Sequence, residues 1–79
     1  MIYTYILKSL KDSGYYVGIT KDINERLKKH NEGGVSSTKN RKPFKLVKYE
    51  CFGSYLQARK REKEIKAYKG GVQFKELVK

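Results

Sequence analysis

Two short segments near the start of the chain, rich in aromatic and β-branched residues, constrain the fold more than any other feature. They occupy residues 2–7 and 15–19, and such residues suit a pleated, half-buried strand. The residues between them, 9–14, are mostly polar and end in a glycine, which is the composition of a turn. We therefore predict a β-hairpin in which Tyr5 and Tyr16 lie on neighbouring strands, with their phenols projecting from the sheet.

The alternation of side chains along these segments predicts the position of each strand. The first carries apolar groups on both faces, which indicates a central strand covered on each side. Gly18, near the end of the second, marks either a close approach by a backbone or ligand or a simple bend. Residues 44–52 are typical of a third strand, with Val47, Tyr49 and Cys51 on one face, and we expect a buried, unreactive thiol at Cys51.

The charge of the chain restricts its partners. Nineteen basic and eight acidic side chains give 79 residues a net charge of +11, which favours a polyanionic partner. Nucleic acid fits best; an anionic membrane surface fits less well, because no predicted helix has a broad exposed apolar face. A single cysteine excludes an internal disulfide framework, and no segment approaches the ~20 apolar residues of a membrane span. We expect one domain, 1–79, in a reducing, cytoplasmic setting.

A helix is predicted over residues 22–31, because an aspartate with a glutamate three residues later resembles a capping box. Ile23 and Leu27 define its apolar stripe. At ~100° per residue, His30 falls within that stripe and Arg26 at its edge. Burying an unpaired charge is costly, so these side chains form either a site or a snorkelling arginine beside a hydrogen-bonded core histidine.

A glycine pair at residues 33–34 ends this helix, and residues 35–43 follow without apolar periodicity. The segment is either a solvated connection or a phosphate-binding loop, because hydroxyl and basic groups commonly contact nucleic-acid backbones. The candidate contacts are Thr38, Lys39, Arg41 and Lys42.

A second helix begins after Ser54, again with a capping pattern. Its apolar stripe comprises Tyr55, Ala58 and Ile65, and Glu62 lies inside that stripe. A carboxylate on a buried face indicates either an ion pair with the inward arginine of the first helix or a metal ligand. After another glycine pair, the apolar spacing near the C-terminus predicts a short helix that closes the core.

Together these features resemble the GIY-YIG nuclease domain, and most closely its small single-domain bacterial members. Tyr3-Thr4-Tyr5 followed by Tyr16-Val17-Gly18 stands where the family has its two tripeptides. Arg26, ten residues after Tyr16, stands where the family carries its catalytic arginine, and His30 where it has His or Tyr. Residues 58–62 resemble the helix that holds the family's metal-binding glutamate, here Glu62. The likeness covers nearly the whole chain.

The resemblance implies an α/β (α+β) fold with a small three-stranded antiparallel sheet flanked by helices. It also implies an endonuclease that hydrolyses DNA phosphodiester bonds with one divalent cation, Mg²⁺ or Mn²⁺, and no small-molecule cofactor. Such activity serves DNA repair, recombination or turnover, and RNA is left open as a substrate. The implied catalytic residues are Tyr5, Tyr16, Arg26 and His30.

The roles follow from the chemistry of each group. Arg26 would hold the phosphate bidentately, Tyr5 or Tyr16 would act as general base, and His30 would be an alternative base or a proton relay. Two departures stand out: many members carry an asparagine in the last element, where Gln73 is the nearest candidate here, and Ile19 replaces a lysine of the excision-repair relatives. The alternative function is a nucleic-acid-binding module with little or no turnover.

Overall fold

One antiparallel sheet organises all 79 residues described by the computed structural model. Strand β1 spans Ile2–Ser9, β2 spans Tyr15–Thr20 and β3 spans Phe44–Phe52, in the order β2-β1-β3. The hairpin pairs Tyr5 with Gly18. The predicted hairpin and the central position of β1 are therefore confirmed, as is the three-stranded α+β fold.

Three α-helices accompany the sheet. Helix α1 covers Ile23–Asn31, α2 covers Tyr55–Ala67 and α3 covers Val72–Leu77. A single 3₁₀ turn at Lys39–Arg41 lies within the segment predicted to be a loop. None of the helices combines the length and apolar character needed to cross a membrane.

The helices cover both faces of the sheet, so the domain has two small cores. Ile6, Val17, Ile65 and Phe74 form the cluster beneath α2 and α3. The other cluster contains Tyr5, Leu7 and Phe44, with Leu27 of α1 packed against it. Burial of a large aliphatic side chain contributes about 1.5–3 kcal/mol to stability. Strand β1 contributes buried side chains to both cores, Ile6 to one and Tyr5 and Leu7 to the other, and therefore links them.

Local side chains fix the position of α1. The Asp22 carboxylate accepts a hydrogen bond from the Glu25 backbone N–H at 3.0 Å, as the capping pattern predicts. Gly33, at φ +77°, ends the helix in a conformation that suits glycine. The Asn31 side chain then bonds both backbone groups of Phe44, at 2.6 and 3.1 Å, and so ties the end of α1 to β3.

Three expectations about side-chain placement are wrong. A β-bulge shifts the register of β3, which turns Val47 towards α2 and α3 while Leu46 and Tyr49 stay on the α1 side. Cys51 is exposed rather than buried, because it lies near the end of an edge strand. Tyr55 is also exposed, because the packing of α2 against the sheet begins one turn later, at Ala58.

Candidate active site

A chain of hydrogen bonds runs from β1 through α1 to the loop that follows. The Tyr5 hydroxyl lies 3.1 Å from His30 Nε2, and His30 Nδ1 lies 2.8 Å from Thr38 Oγ1. Thr38 in turn donates to the Val35 carbonyl at 3.3 Å. Because the threonine proton is used there, His30 Nδ1 is the donor to Thr38, and Nε2 accepts from Tyr5. The chain therefore has one consistent direction.

The groups in this chain are withdrawn from solvent. Tyr5 is 2% exposed, and His30 and Thr38 are fully buried. The imidazole also packs edge-on against the Tyr16 ring, with 4.9 Å between ring centroids, and against Phe44 at 5.8 Å. His30 thus lies on the buried face of α1, where the helical spacing predicts it, and the structure brings it together with both tyrosines.

Burial and neighbouring charges determine the protonation states in this chain. Burial, followed by the Arg26 charge, holds the pKa of His30 below its ordinary value. Burial also raises the pKa of Tyr5, and so do Tyr16 and Glu62, whereas Arg26 opposes the rise. At neutral pH His30 is therefore a neutral acceptor and Tyr5 a protonated donor. The charges of Arg26 and Glu62, from two separate helices, both act on the same phenol.

The absence of a side chain at Gly18 leaves the space that the Tyr5 phenol occupies. A Cβ atom at Gly18 would lie 2.6 Å from the Tyr5 hydroxyl and 3.0 Å from Cε2 of Tyr16. Real Cβ atoms do not approach other atoms so closely, so the bare glycine leaves the space in which the Tyr5 ring rests. Of the two interpretations of this glycine, close approach is the one that applies, and the approaching group is a side chain.

Replacing Gly18 with alanine is expected to displace Tyr5 and to lower the free energy of unfolding by about 1–3 kcal/mol, as overpacking of a core does. Urea denaturation measures the loss. Gly53→Ala is the matched control, because the nearest atom to a Cβ at that glycine is a flexible Gln57 oxygen at 3.9 Å. Equal stability of the two variants would contradict the conclusion that Gly18 leaves space for the Tyr5 ring.

Arg26 lies half-buried in a groove that contains no apolar side chain. The groove has a volume of ≈500 Å³ and is lined by Thr20, Lys21, Asp22, Glu25, Arg26 and Lys29. The Arg26 side chain makes no ion pair or hydrogen bond in the folded chain, so the expected alternative of an Arg26–Glu62 ion pair is wrong. Asp22 and Glu25 also line the groove, but Asp22 is engaged as the helix cap, and the unpaired guanidinium with two lysines leaves a net positive charge that suits an anion.

Glu62 lies on the inward side of α2, with 18% of its side chain exposed. Its one ion pair is with Lys66, at 3.2 Å, and the Lys66 side chain is itself 55% exposed. No group of three or more histidine, cysteine or acidic side chains in the chain is placed so that it could hold a metal ion. A lone carboxylate suits Mg²⁺, which keeps several waters and is commonly shared between one or two carboxylates and a phosphate. The Glu62 carboxylate therefore suits a cation that is bound jointly with substrate.

Comparison with known proteins identifies the family. The model of the GIY-YIG catalytic domain matches residues 1–72. The chain belongs to the GIY-YIG family. It is 48% identical over 67 residues to a UPF0213 protein of Staphylococcus saprophyticus, covering 84% of this chain and 80% of that protein. It is 42% identical to a UPF0213 protein of Haloquadratum walsbyi, covering 84% and 74%.

A solved structure supports the same conclusion. The solution NMR structure of a UPF0213 protein from Bacillus halodurans matches with a TM-score of 0.54 and 40% identity, over 96% of this chain and 80% of that one. The resemblance seen in the sequence is thereby confirmed. GIY-YIG membership places this chain in a nuclease superfamily.

The predicted loop contacts of this GIY-YIG domain separate into three groups. Thr38 is fully buried and hydrogen-bonded to His30, so its predicted contact with a phosphate is wrong. Arg41 Nε donates to Asp12 at 2.8 Å, and its guanidinium lies 5.7 Å from the centroid of the Phe44 ring. The hydrogen bond from Arg41, followed by that from the Gly14 N–H, lowers the pKa of Asp12 to about 2, and the contact of Arg41 with nucleic acid stays a prediction. Lys39 and Lys42 are exposed, and their contact with nucleic acid stays a prediction.

Thr4, in the middle of the first tripeptide, and Gln73, in α3, also have defined positions. Thr4 is buried, and its hydroxyl donates to the Ala58 carbonyl at 2.8 Å, one turn before Glu62. Sequence reasoning missed this contact, which holds α2 against β1. Gln73 is exposed on α3 and lines a different groove, beside Lys48. It therefore does not line the groove that contains Arg26.

The burial of His30 predicts a pH dependence of stability. Because the folded pKa of His30 lies below its ordinary value, the unfolded chain binds more protons as the pH falls below about 6.5. The free energy of unfolding should therefore decrease on acidification from about pH 7.5 to 5.5, since an imidazolium cannot accept from Tyr5. His30 is the only histidine, so urea denaturation of His30→Gln should give a shallower dependence. If the free energy of unfolding depended on pH equally in the unaltered chain and in His30→Gln, His30 would not be the source of the pH dependence.

Proposed function

We propose that this GIY-YIG chain is a metal-dependent nuclease that hydrolyses DNA phosphodiester bonds. The observation that carries the proposal is the unpaired, half-buried Arg26 guanidinium in a groove that is also lined by Lys21 and Lys29. Hydrolysis needs a water that loses a proton and a group that stabilises charge on the pentavalent phosphorus. Family membership supplies the reaction class, and the geometry supplies the candidates for each role.

Arg26 is the candidate for charge stabilisation. Its planar guanidinium matches two phosphate oxygens, and no carboxylate of the chain forms an ion pair with it. Lys21 and Lys29 line the same groove and would hold the neighbouring phosphates as point charges. Scissile phosphate and nucleophile would meet beside the half-buried Tyr16 ring.

The Tyr5–His30–Thr38 chain is the candidate path for the proton. Water would give its proton to the Tyr5 oxygen while the phenolic proton passes to His30 Nε2. Free phenolate is then never formed, which removes the obstacle of a raised tyrosine pKa. The resulting hydroxide attacks phosphorus, and the P–O bond to the leaving oxygen breaks with its electron pair on that oxygen. The leaving oxygen takes a proton from solvent, and the proton on His30 returns to solvent through Tyr5. Thr38 keeps Nδ1 protonated throughout and orients the ring.

Tyr16 is the alternative acceptor of the water proton. Its ring is more accessible than that of Tyr5, and it packs against His30 without a hydrogen bond to it. We favour Tyr5, because only its proton has a defined acceptor in the structure. Tyr16 would then bind the attacking water or a phosphate oxygen.

Glu62 is the candidate ligand for one Mg²⁺ or Mn²⁺. When bound there with a substrate phosphate, the cation supplies Lewis acidity towards the phosphoryl and leaving oxygens. Lys66 is the only group that Glu62 would have to release, and that surface pair is weak. The exposed, unpaired Cys51 is compatible with the reducing cytoplasm in which we place this activity, in DNA repair, recombination or turnover.

A cleavage panel tests the proposal. End-labelled single-stranded, duplex, flap and branched DNA is incubated with the chain in Mg²⁺, Mn²⁺ or EDTA, with a matched RNA strand included. The expected result is cleavage of at least one DNA substrate that requires the divalent cation. Cleavage that continues in EDTA, or an RNA product without a DNA product, would contradict the proposal.

The second candidate function is a nucleic-acid-binding module with this fold. It is favoured by Gln73, which stands nearest to the asparagine that many members carry but lines a groove apart from Arg26. This alternative predicts tight, salt-dependent binding to all the nucleic acids of the panel. It also predicts that no product forms with either cation.

A further inference from the structure

A second concave surface adjoins the groove that contains Arg26, and we call it the aromatic groove. Its volume is ≈380 Å³. The rings of Tyr3 and Tyr49 and the aliphatic side chains of Ile23 and Leu46 line it, with Lys21 and Asn24 beside them. Lys21 and Asp22 belong to both grooves, so the two surfaces are continuous around the start of α1.

The aromatic groove presents an uncovered ring. Tyr49 is 55% exposed, although a large aromatic side chain normally gains from burial. It meets Tyr3 edge to face, with 5.9 Å between centroids and an interplanar angle of 70°. The bulge in β3 brings Leu46 to the same side as Tyr49, which gives the groove an apolar surface. The groove is thus shaped for a flat apolar group.

The polar side chains around the groove indicate what that flat group is attached to. Lys21 is exposed and stands between the two grooves, and the chain as a whole carries a net charge of +11. The one carboxylate there, Asp22, already accepts from the Glu25 N–H as the helix cap. Asn24 offers an amide with both donor and acceptor atoms, as the edge of a base requires. A planar ring joined to phosphate would stack on the exposed Tyr49 ring, meet Asn24 at its edge and pair with Lys21.

We propose that the aromatic groove binds an unpaired nucleobase of the DNA strand whose phosphate lies at Arg26. The identity of the ligand rests on the proposed function. Base stacking on Tyr49 tolerates any sequence, because every base has a π-face, and Lys21 contacts the linking phosphate. A base within a duplex is already stacked and paired and does not enter. The substrate class is therefore DNA with a single-stranded or frayed segment next to the cleaved bond.

Binding measured without cleavage tests this subsite. The full chain, in EDTA, is titrated into a single-stranded oligonucleotide containing 2-aminopurine and into the matching duplex. Tyr49→Leu should weaken single-strand binding by about tenfold and change duplex binding by less than about twofold. It should also abolish the 2-aminopurine quenching that stacking causes. Tyr49→Phe should behave as the unaltered chain, which shows that the position tolerates substitution.

Tyr55→Leu is the matched control, because Tyr55 is also 55% exposed but lies outside both grooves. The subsite is refuted if Tyr49→Leu loses no affinity, or loses it equally for single-stranded and duplex DNA. It is also refuted if Tyr55→Leu loses as much affinity for single strands as Tyr49→Leu. The nuclease proposal stands or falls separately. If the unaltered chain cleaves DNA while Tyr49→Leu binds single strands normally, only the subsite is refuted. If stacking depends on Tyr49 but no substrate is cleaved, only the nuclease is refuted.

Discussion

Replacing Glu62 with glutamine is expected to lower the rate of Mg²⁺-dependent DNA cleavage by about 10³-fold, the equivalent of several kcal/mol of lost cation chemistry. Glutamine keeps the size of the side chain and removes the charge that a hard cation prefers. The fold should persist, because the one partner of Glu62 is an exposed lysine, and such pairs contribute at most about 1 kcal/mol. Cleavage rates over a series of Mg²⁺ concentrations measure the effect.

Glu76→Gln is the matched control for this variant. Glu76 is exposed on α3, and its only ion pair is a long one with Lys79, at 4.0 Å. It should cleave DNA at the rate of the unaltered chain. If the Glu62→Gln protein cleaves DNA at the full rate at every Mg²⁺ concentration, Glu62 is not the ligand of the catalytic cation.

Replacing Arg26 with alanine is expected to lower the cleavage rate by about 10²–10³-fold, the cost of removing one group that stabilises transition-state charge. Arg26→Lys should remain impaired, because an ammonium offers a point charge instead of two parallel donors. Folding stability should not fall through loss of an ion pair, since Arg26 makes none. Single-turnover cleavage separates the chemical step from DNA binding.

Lys28→Ala is the control for the loss of one positive charge from α1. Lys28 is exposed and belongs to neither groove, so its removal should weaken DNA binding modestly and leave the single-turnover rate unchanged. Equal single-turnover rates for Arg26→Ala and Lys28→Ala would mean that Arg26 contributes only to the basic surface.

The sequence is most informative where a feature depends on near neighbours. The hairpin follows from alternation and turn composition, the start of α1 from Asp22, and the inward position of His30 from helical spacing. Glu62 was found as a carboxylate out of place on an apolar stripe. In each case the signal lies within a few residues of the feature that it predicts.

Contacts between distant segments left no such signal. The Thr4 hydroxyl meets an α2 carbonyl 54 residues away, and Arg41 meets Asp12 across 29 residues. The loop carries Thr38 back to His30, so a residue predicted to contact phosphate became the partner of the imidazole. The bulge in β3 likewise breaks the alternation on which the positions of Val47 and Leu46 were predicted. Only the assembled sheet determines these positions.

The most direct test of whether Arg26 and Glu62 belong to one site is anomalous diffraction. The crystals are grown with Mn²⁺ and a DNA strand that bears a nonhydrolysable linkage. The predicted result is a single Mn²⁺ peak at about 2.0–2.6 Å from a Glu62 carboxylate oxygen, the range for hard cations on oxygen ligands. A phosphate held by Arg26 should share that ion. Ordered DNA with its phosphates away from Arg26, or Mn²⁺ bound without Glu62, would contradict the proposed active site.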